Sequence, residues 1–396
     1  MKAKHIVHLS TYPADDIRIF QKACKSEVED GYQVTQIVCH DHDETVDGVR
    51  IKALPPPSKG RISRMIGLSW RMYREAERLR ADIYQFHHPD LIPAGLLLKL
   101  SGKKVIYDTR EFYPDKILSM RWIPAKFRQV FSTAFSIYER ITSAVWDHVL
   151  VADRYSAKAF AGRPISVVPN YPLLTSVEGV EDKRNKLRKL IYVGGLSEER
   201  GLGVMLKIAE LLGDQGVELD LMGTCPFSED ERRIHAVRNV RYLGNQNLRA
   251  VYQHMAEADL GLLLLQPVPA YAYAGENTLK LFEYMWCALP LVSSNFPNLR
   301  QIIEAAQCGI CVDPCNAEQA AMAITNLLDQ PELRQQMGVN GRDAVLRAYN
   351  WPAASKVLSQ VYKNVLSGNR TSGETLPLWI REPVESGPYS AVAFHG

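Results

Sequence analysis

No apolar run in the sequence reaches the roughly 18 residues that a bilayer-crossing helix needs, so membrane-spanning helices are not expected. Cysteine is sparse: seven residues in 396, an odd number, give no disulfide framework and fit a reducing compartment. Met1 to Ser10 is polar at intervals and reads as a strand, so a secretory leader is not expected either. The net charge is only +3, and the basic-aromatic stretches are two and short, which argues against a nucleic-acid partner. The Gly-x-Gly-x-x-Gly fingerprint of a dinucleotide site is missing after the first strand. Metal-ligand patterns are thin. Cys308, Cys311 and Cys315 have a Cys-x2-Cys-x3-Cys spacing, but the residues between them read as a strand that throws neighbours to opposite faces, and no His is near. Asp41-His42-Asp43 reads as a solvated acidic loop.

What is present is an alternation of strands and helices. With 46% hydrophobic and 23% charged residues, the composition is that of a globular protein, long enough for two domains. Strands are expected at 4–9, 32–39, 82–86, 104–108, 148–152 and 165–168, with helices at 17–30, 61–80, 91–100 and 124–143 between them. Pro169-Asn170-Tyr171-Pro172 is a stiff connector, placing a boundary near 172. The pattern then repeats, with strands expected at 190–193, 218–222, 240–243, 260–265, 291–293 and 309–312. A helical region at 317–366 is broken at Pro331 and at Trp351-Pro352, and residues 367–396 read as a loosely ordered tail. Such alternation predicts parallel sheets, whose ligands bind at the carboxyl ends of the strands.

Several polar groups fall at those ends. His87 and His88 follow one expected strand, and Arg110 and Glu111 follow another. Gly194 and Gly195 follow the first strand of the second half, where the backbone can approach a ligand, and Arg200 opens the next helix. Gly223 ends a further strand. The stretch 275–292 holds a polar turn with Asn277 and Thr278, then a helix from Leu279 that carries Lys280 and Glu283 in apolar surroundings. It is either a core helix with one surface ion pair, or an anion-binding N-terminus with a carboxylate placed for a diol. Charge is uneven: residues 1–170 carry 26 Lys and Arg against 19 Asp and Glu, and the remainder 21 against 25. Arg64, Arg71, Arg74 and Arg78 line one side of 61–80, and 121–128 mixes Arg, Lys, Trp and Phe. Both stretches suit an anionic membrane surface.

In order and spacing these pieces resemble glycosyltransferase family 4. Those residues are Asp16-Ile17-Arg18-Ile19-Phe20, Phe86-His87-His88-Pro89-Asp90-Leu91, Tyr107-Asp108-Thr109-Arg110-Glu111, Val193-Gly194-Gly195-Leu196 with Arg200, and Lys280-Leu281-Phe282-Glu283-Tyr284-Met285. The resemblance covers roughly residues 4–366. It implies an α/β protein of GT-B fold, two Rossmann-like doubly wound parallel-sheet domains facing a cleft. The domains are 1–172 for the acceptor and 173–366 for a UDP- or GDP-linked sugar, with the last helix packing back on the first. It implies a retaining transferase, a hexosyltransferase of cell-envelope polysaccharide synthesis, acting by front-face attack. No cofactor and no metal are implied. The acceptor would be a glycan or lipid-linked hydroxyl, and the enzyme cytoplasmic and peripheral to the membrane. Glu283 would hold the ribose, while Arg200, Lys280 and the N–H groups of Asn277 to Leu279 hold the diphosphate, beside Gly194, Gly195 and Gly223. Asp16, Arg18, His87, His88, Arg110 and Glu111 would lie on the acceptor side, with His87 touching the transferred sugar or the acceptor. The chain departs from the family pattern at Gly275, where the first of an acidic pair is usual, at Gly195, where many members have Arg, and at Arg110, where relatives often have His. A 2-epimerase-like enzyme, or a binding scaffold without turnover, are the alternatives.

Overall fold

The structure, a computed structural model, describes residues 3–56, 63–120, 122–174 and 188–369. Residues 61, 62 and 121 of the basic stretches, the side chains of 63–65 and the expected tail beyond 369 lie outside the described residues. The chain forms two units. One takes the residues up to Leu173 and the helix Trp351–Ser367; the other runs from Leu174 to Asn350.

The first unit is built on an eight-stranded sheet. Across it lie Glu44–Val46, Val49–Leu54, Gln33–Cys39, His5–Leu9, Ile83–Phe86, Val105–Thr109, His148–Val151 and Ile165–Val167. All neighbours are parallel except the first pair. That pair is a hairpin closed by Asp47 and Gly48, both at positive φ, as a two-residue primed turn requires. Asp41-His42-Asp43 is an exposed loop leading into this hairpin, as expected, and Asp43 accepts hydrogen bonds from the Ala53 N–H and from Lys52 Nζ. The helix expected at 17–30 divides into a wider-wound Ile17–Cys24 and an α-helical Lys25–Glu29. The N–H groups of Phe20 and Gln21 both reach back to the Asp16 carbonyl.

Alternation along the central strands sorts their side chains. Val7, Leu9, Tyr84, Phe86, Val105 and Tyr107 pack on one face with Met72, Ala76 and Leu98. At about 1.5–3 kcal/mol per large buried side chain, this layer stabilises the sheet. His8, Gln85 and Asp108, at the intervening positions of those strands, are also buried. The helix Trp351–Ser367 lies against this polar set: Tyr362 Oη reaches Glu27 Oε1 at 2.5 Å and Gln85 Oε1 at 2.7 Å. Trp351 Nε1 donates to Ser26 Oγ, and Lys104 Nζ caps the helix end through the carbonyls of Val365 and Leu366.

The second unit has six strands, all parallel, in the order Val240–Gly244, Val217–Met222, Arg188–Val193, Leu260–Leu263, Leu291–Ser294 and Gly309–Val312. In both sheets the first parallel strand pairs on either side with the second and the fourth, so the chain reverses direction across the sheet beside that strand. Such a reversal opens a crevice at the carboxyl edge. It falls between Leu9 and Phe86 in the first unit, and between Val193 and Leu263 in the second.

Candidate functional site

At the reversal of the second sheet, one tyrosine organises the polar groups. Tyr192, next to last in its strand, is fully buried and donates its hydroxyl proton to the Gly195 carbonyl. Lys280 Nζ lies 3.3 Å from that hydroxyl and 4.9 Å from the ring centre. Arg200 interacts with the same hydroxyl, and its Nε donates to Tyr271 Oη at 3.1 Å. Burial, with the Arg200 guanidinium adding to it and Glu283 opposing, pushes the Lys280 ammonium down to about 7. Burial likewise pulls Arg200 down, but Tyr271 and Tyr192 more than offset it. Two cations thus share one small space with one carboxylate near them, which is an arrangement short of negative charge.

The helix Leu279–Trp286 holds Lys280 and Glu283 in place by burying Leu281, Phe282, Tyr284, Met285 and Trp286. Tyr284 Oη accepts from the Val193 N–H at 3.0 Å, tying the helix to the strand that ends in Tyr192. Thr278 precedes the first turn, and its side chain makes no capping bond there. Asn277 Oδ1 accepts instead from the Gly275 N–H. The first N–H groups of a helix have no intrahelical acceptor and favour an anion. Gly194 has φ 139°, and a Cβ there would meet Lys280 Nζ at 1.9 Å; at Gly223 it would meet the Gly194 carbonyl oxygen at 2.1 Å. These two glycines therefore let the strand ends and Lys280 close on one another. At Gly195 a Cβ would stand 3.5 Å from Arg200, an ordinary contact.

At the reversal of the first sheet, Asp16 is the joint. Its Oδ1 caps the helix Ile17–Cys24 by accepting from the N–H groups of Arg18 and Ile19. Both its oxygens also face Arg110, at 2.5 and 3.0 Å. Burial alone would raise the Asp16 carboxyl, yet the Arg110 pair holds it below the usual range. The Arg110 guanidinium lies 3.9 Å above the Tyr12 ring, and His88 meets Tyr12 and Tyr113 edge-on. His88 Nδ1 accepts from the Asp90 N–H.

Two expected acceptor-side residues are buried, His87 within electrostatic range of Asp16 and Arg110. Arg18 is buried, with Nη2 on Asp108 at 2.9 Å and Nη1 on the Val168 carbonyl. His87 is 1% exposed, with Nδ1 on Asp108 at 2.9 Å and Nε2 on His8 Nδ1 at 2.8 Å. Burial pushes His87 down to about 4, Asp108 opposing. The bonds run on from His8 Nε2 to Glu27 at 2.6 Å, then through Tyr362 and Gln85 back to Asp108. Both ring nitrogens of His87 are spent inside this closed loop, so the imidazole expected to touch substrate is a strut beneath the surface. Glu111 is solvent-facing and paired with Lys116, within electrostatic range of Tyr113. His8, Cys24 and Glu27 lie close enough to hold an ion, but the His8–Glu27 bond already joins two of them.

The structure thus brings together Arg200, Lys280, Gly194 and Gly195 around Tyr192, with Glu283 within electrostatic range of Lys280. Sequence reasoning missed Tyr192 and Tyr271. Tyr192 lies inside an apolar strand and reads as core, while Tyr271 falls between the strand Leu260–Leu263 and the helix Leu279–Trp286, where no periodicity marks it.

A family model described as "Glycosyl transferases group 1" matches residues 177–344, and one described as "Glycosyltransferase Family 4" matches residues 24–171. The chain is 26% identical over 181 residues to an alpha-D-kanosaminyltransferase of Streptomyces kanamyceticus, spanning 44% of this chain and 45% of that protein. It is 24% identical over 196 residues to a glycogen synthase of Mycobacterium tuberculosis, spanning 48% of this chain and 46% of that protein. The matched region is thus less than half the length of each of these relatives. Among solved structures, the sucrose-phosphate synthase of Thermosynechococcus elongatus superposes with a TM-score of 0.75 at 17% identity, covering 92% of this chain and 100% of that one. HepE of Anabaena, solved with UDP and glucose, gives 0.69 at 14% identity, covering 91% and 100%. At those identities the likeness is one of fold.

Proposed function

The chain belongs to glycosyltransferase family 4, and on that premise we propose that it moves a hexose from a UDP- or GDP-linked donor to a hydroxyl of a glycan or lipid-linked acceptor. The observation that carries this reading is the pair Arg200 and Lys280 gathered on Tyr192 at the reversal of the second sheet. The two cations would hold the donor diphosphate, helped by the N–H groups that open the helix Leu279–Trp286. Stabilising charge as it grows on a leaving group is commonly the largest catalytic contribution. Here that group is the nucleoside diphosphate. Glu283, one turn into the helix, would accept hydrogen bonds from the ribose hydroxyls.

The acceptor would meet the surface formed by Asp16, Tyr12, Arg110 and His88, with His87 and Arg18 fixing it from beneath. Retention of the anomeric configuration, with the acceptor hydroxyl attacking on the face the diphosphate leaves, needs no protein nucleophile. The reading extends to a metal-independent enzyme of cell-envelope polysaccharide synthesis, working in the cytoplasm at an anionic membrane that its basic stretches contact. No helix among the described residues is long and apolar enough to cross a membrane.

The test is kinetic. Screening UDP- and GDP-sugars for slow hydrolysis identifies the donor. Loss of a charged hydrogen-bond partner costs about 1.5–3 kcal/mol. Arg200→Ala and Glu283→Ala should therefore each lower kcat/KM roughly 10–150-fold. Wild-type turnover in both variants would overturn the assignment, and a sugar epimerised with donor alone would replace transfer by epimerisation.

A further inference from the structure

The helix Ala125–Thr142 is inverted. Its inward side is polar: Ser132 is buried on the Pro114 carbonyl, and Glu139 is buried accepting from Tyr107 Oη. Its outward side is apolar, with Phe127 46%, Val130 65%, Phe131 55%, Ile137 55%, Tyr138 39% and Ile141 66% exposed. These recur at intervals of three, one, six, one and three residues and so fall in one stripe down the helix. Eighteen residues make a rod of about 27 Å. Scattered exposed hydrophobics are ordinary on a protein surface, but a continuous stripe this long marks an interaction face.

Charge decides what covers it. The helix has one acid, Glu139, and it is buried; the charges that reach solvent are the cations Lys126, Arg128 and Arg140. Trp122, just before the helix, is 57% exposed. An apolar stripe bordered only by cations, with tryptophan at its end, matches a helix lying in an anionic lipid surface. We infer that the helix Ala125–Thr142 lies in the plane of an anionic membrane, with the stripe from Phe127 to Ile141 among the acyl chains. This rests on the membrane-bound reading above and deepens it. Attachment then comes from apolar insertion along the whole helix, where charge on 61–80 and 121–128 would give only electrostatic docking.

Flotation with vesicles of phosphatidylcholine, alone or with phosphatidylglycerol, tests it. The wild-type chain is expected to float with the anionic vesicles and to stay bound at about 0.5 M salt, where screening falls to roughly 4 Å. Phe131→Ser, Ile137→Ser and Ile141→Ser together should lower the bound fraction at least tenfold while circular dichroism and Tm stay unchanged, since all three side chains face solvent. Absence of wild-type binding, full release by salt, or equal binding by the triple variant would overturn the inference. So would a dimer seen by light scattering that the triple variant dissolves, which would make a second copy the occupant. Donor hydrolysis, measured without vesicles, separates the two readings. Vesicle binding without turnover of any donor supports the lipid face and sinks the transferase assignment; turnover without binding does the reverse.

Discussion

Lys280 is a residue whose chemistry departs far from its type. An ammonium pushed down to about 7 is half deprotonated at neutral pH. A bound diphosphate would favour its charged form, so donor binding should draw in a proton. The expected outcome is nucleotide affinity that falls as pH rises from about 6 to 8, with proton uptake seen by calorimetry in buffers of different ionisation enthalpy. Lys280→Met should bind more weakly and lose that pH dependence. A flat profile in the wild-type chain would remove Lys280 from the diphosphate. The first unit makes a different point at this scale. His87 and Arg18 stand at the right places in the chain for an acceptor site, yet both are buried in ion pairs and hydrogen bonds. A sequence shows which residues follow a strand; it does not show which of them turn inward, because that depends on partners as distant as Asp108 and Tyr362.

At the scale of elements, Asp16 does two jobs with one carboxylate: it caps a helix and it clamps Arg110. The two can be separated. Asp16→Asn keeps a capping oxygen and loses the ion pair; Asp16→Ala loses both. Loss of a cap costs about 0.5–2 kcal/mol. The alanine variant should therefore melt measurably below the asparagine variant, whereas both should weaken the acceptor side alike, seen as a raised KM for acceptor. Equal Tm values would remove the capping role. Most elements were legible in advance. The parallel strands of both sheets, Val49–Leu54 apart, announce themselves by apolar runs, and Pro331 and Trp351-Pro352 break the last helices where expected. The hairpin of Glu44–Val46 and Val49–Leu54 was not legible, because its strands are short and half polar and follow directly on the acidic loop at Asp41 to Asp43. Its one clear signal was Asp47-Gly48. The donor helix Leu279–Trp286 was legible by its apolar spacing, but that spacing could not separate a core helix from a site. Lys280 meeting Tyr192 across 88 positions of the chain is what favours the site in the proposal above.

For the whole molecule, the order of the chain and the grouping of its elements disagree. The first unit is closed by a helix that follows the second. Tyr362 carries much of that closure, with one hydroxyl against Glu27 and Gln85 in the buried loop of hydrogen bonds. Tyr362→Phe leaves those groups short of a partner, which costs about 1–3 kcal/mol. The expected result is a lower Tm with unchanged nucleotide affinity, since the donor residues belong to the other unit; a fall in both would show that the two are energetically coupled.

That arrangement also bears on synthesis. When Leu173 leaves the ribosome, the sheet face bearing His8, Gln85 and Asp108 has the cover of Ile17–Glu29 but lacks that of the last helix, and 177 further residues must be translated before Trp351 emerges. At about 5–20 residues per second that is a wait of roughly 9–35 seconds. During it the nascent domain keeps Glu27 and Gln85 without the Tyr362 hydroxyl, while the later-made domain can complete itself first.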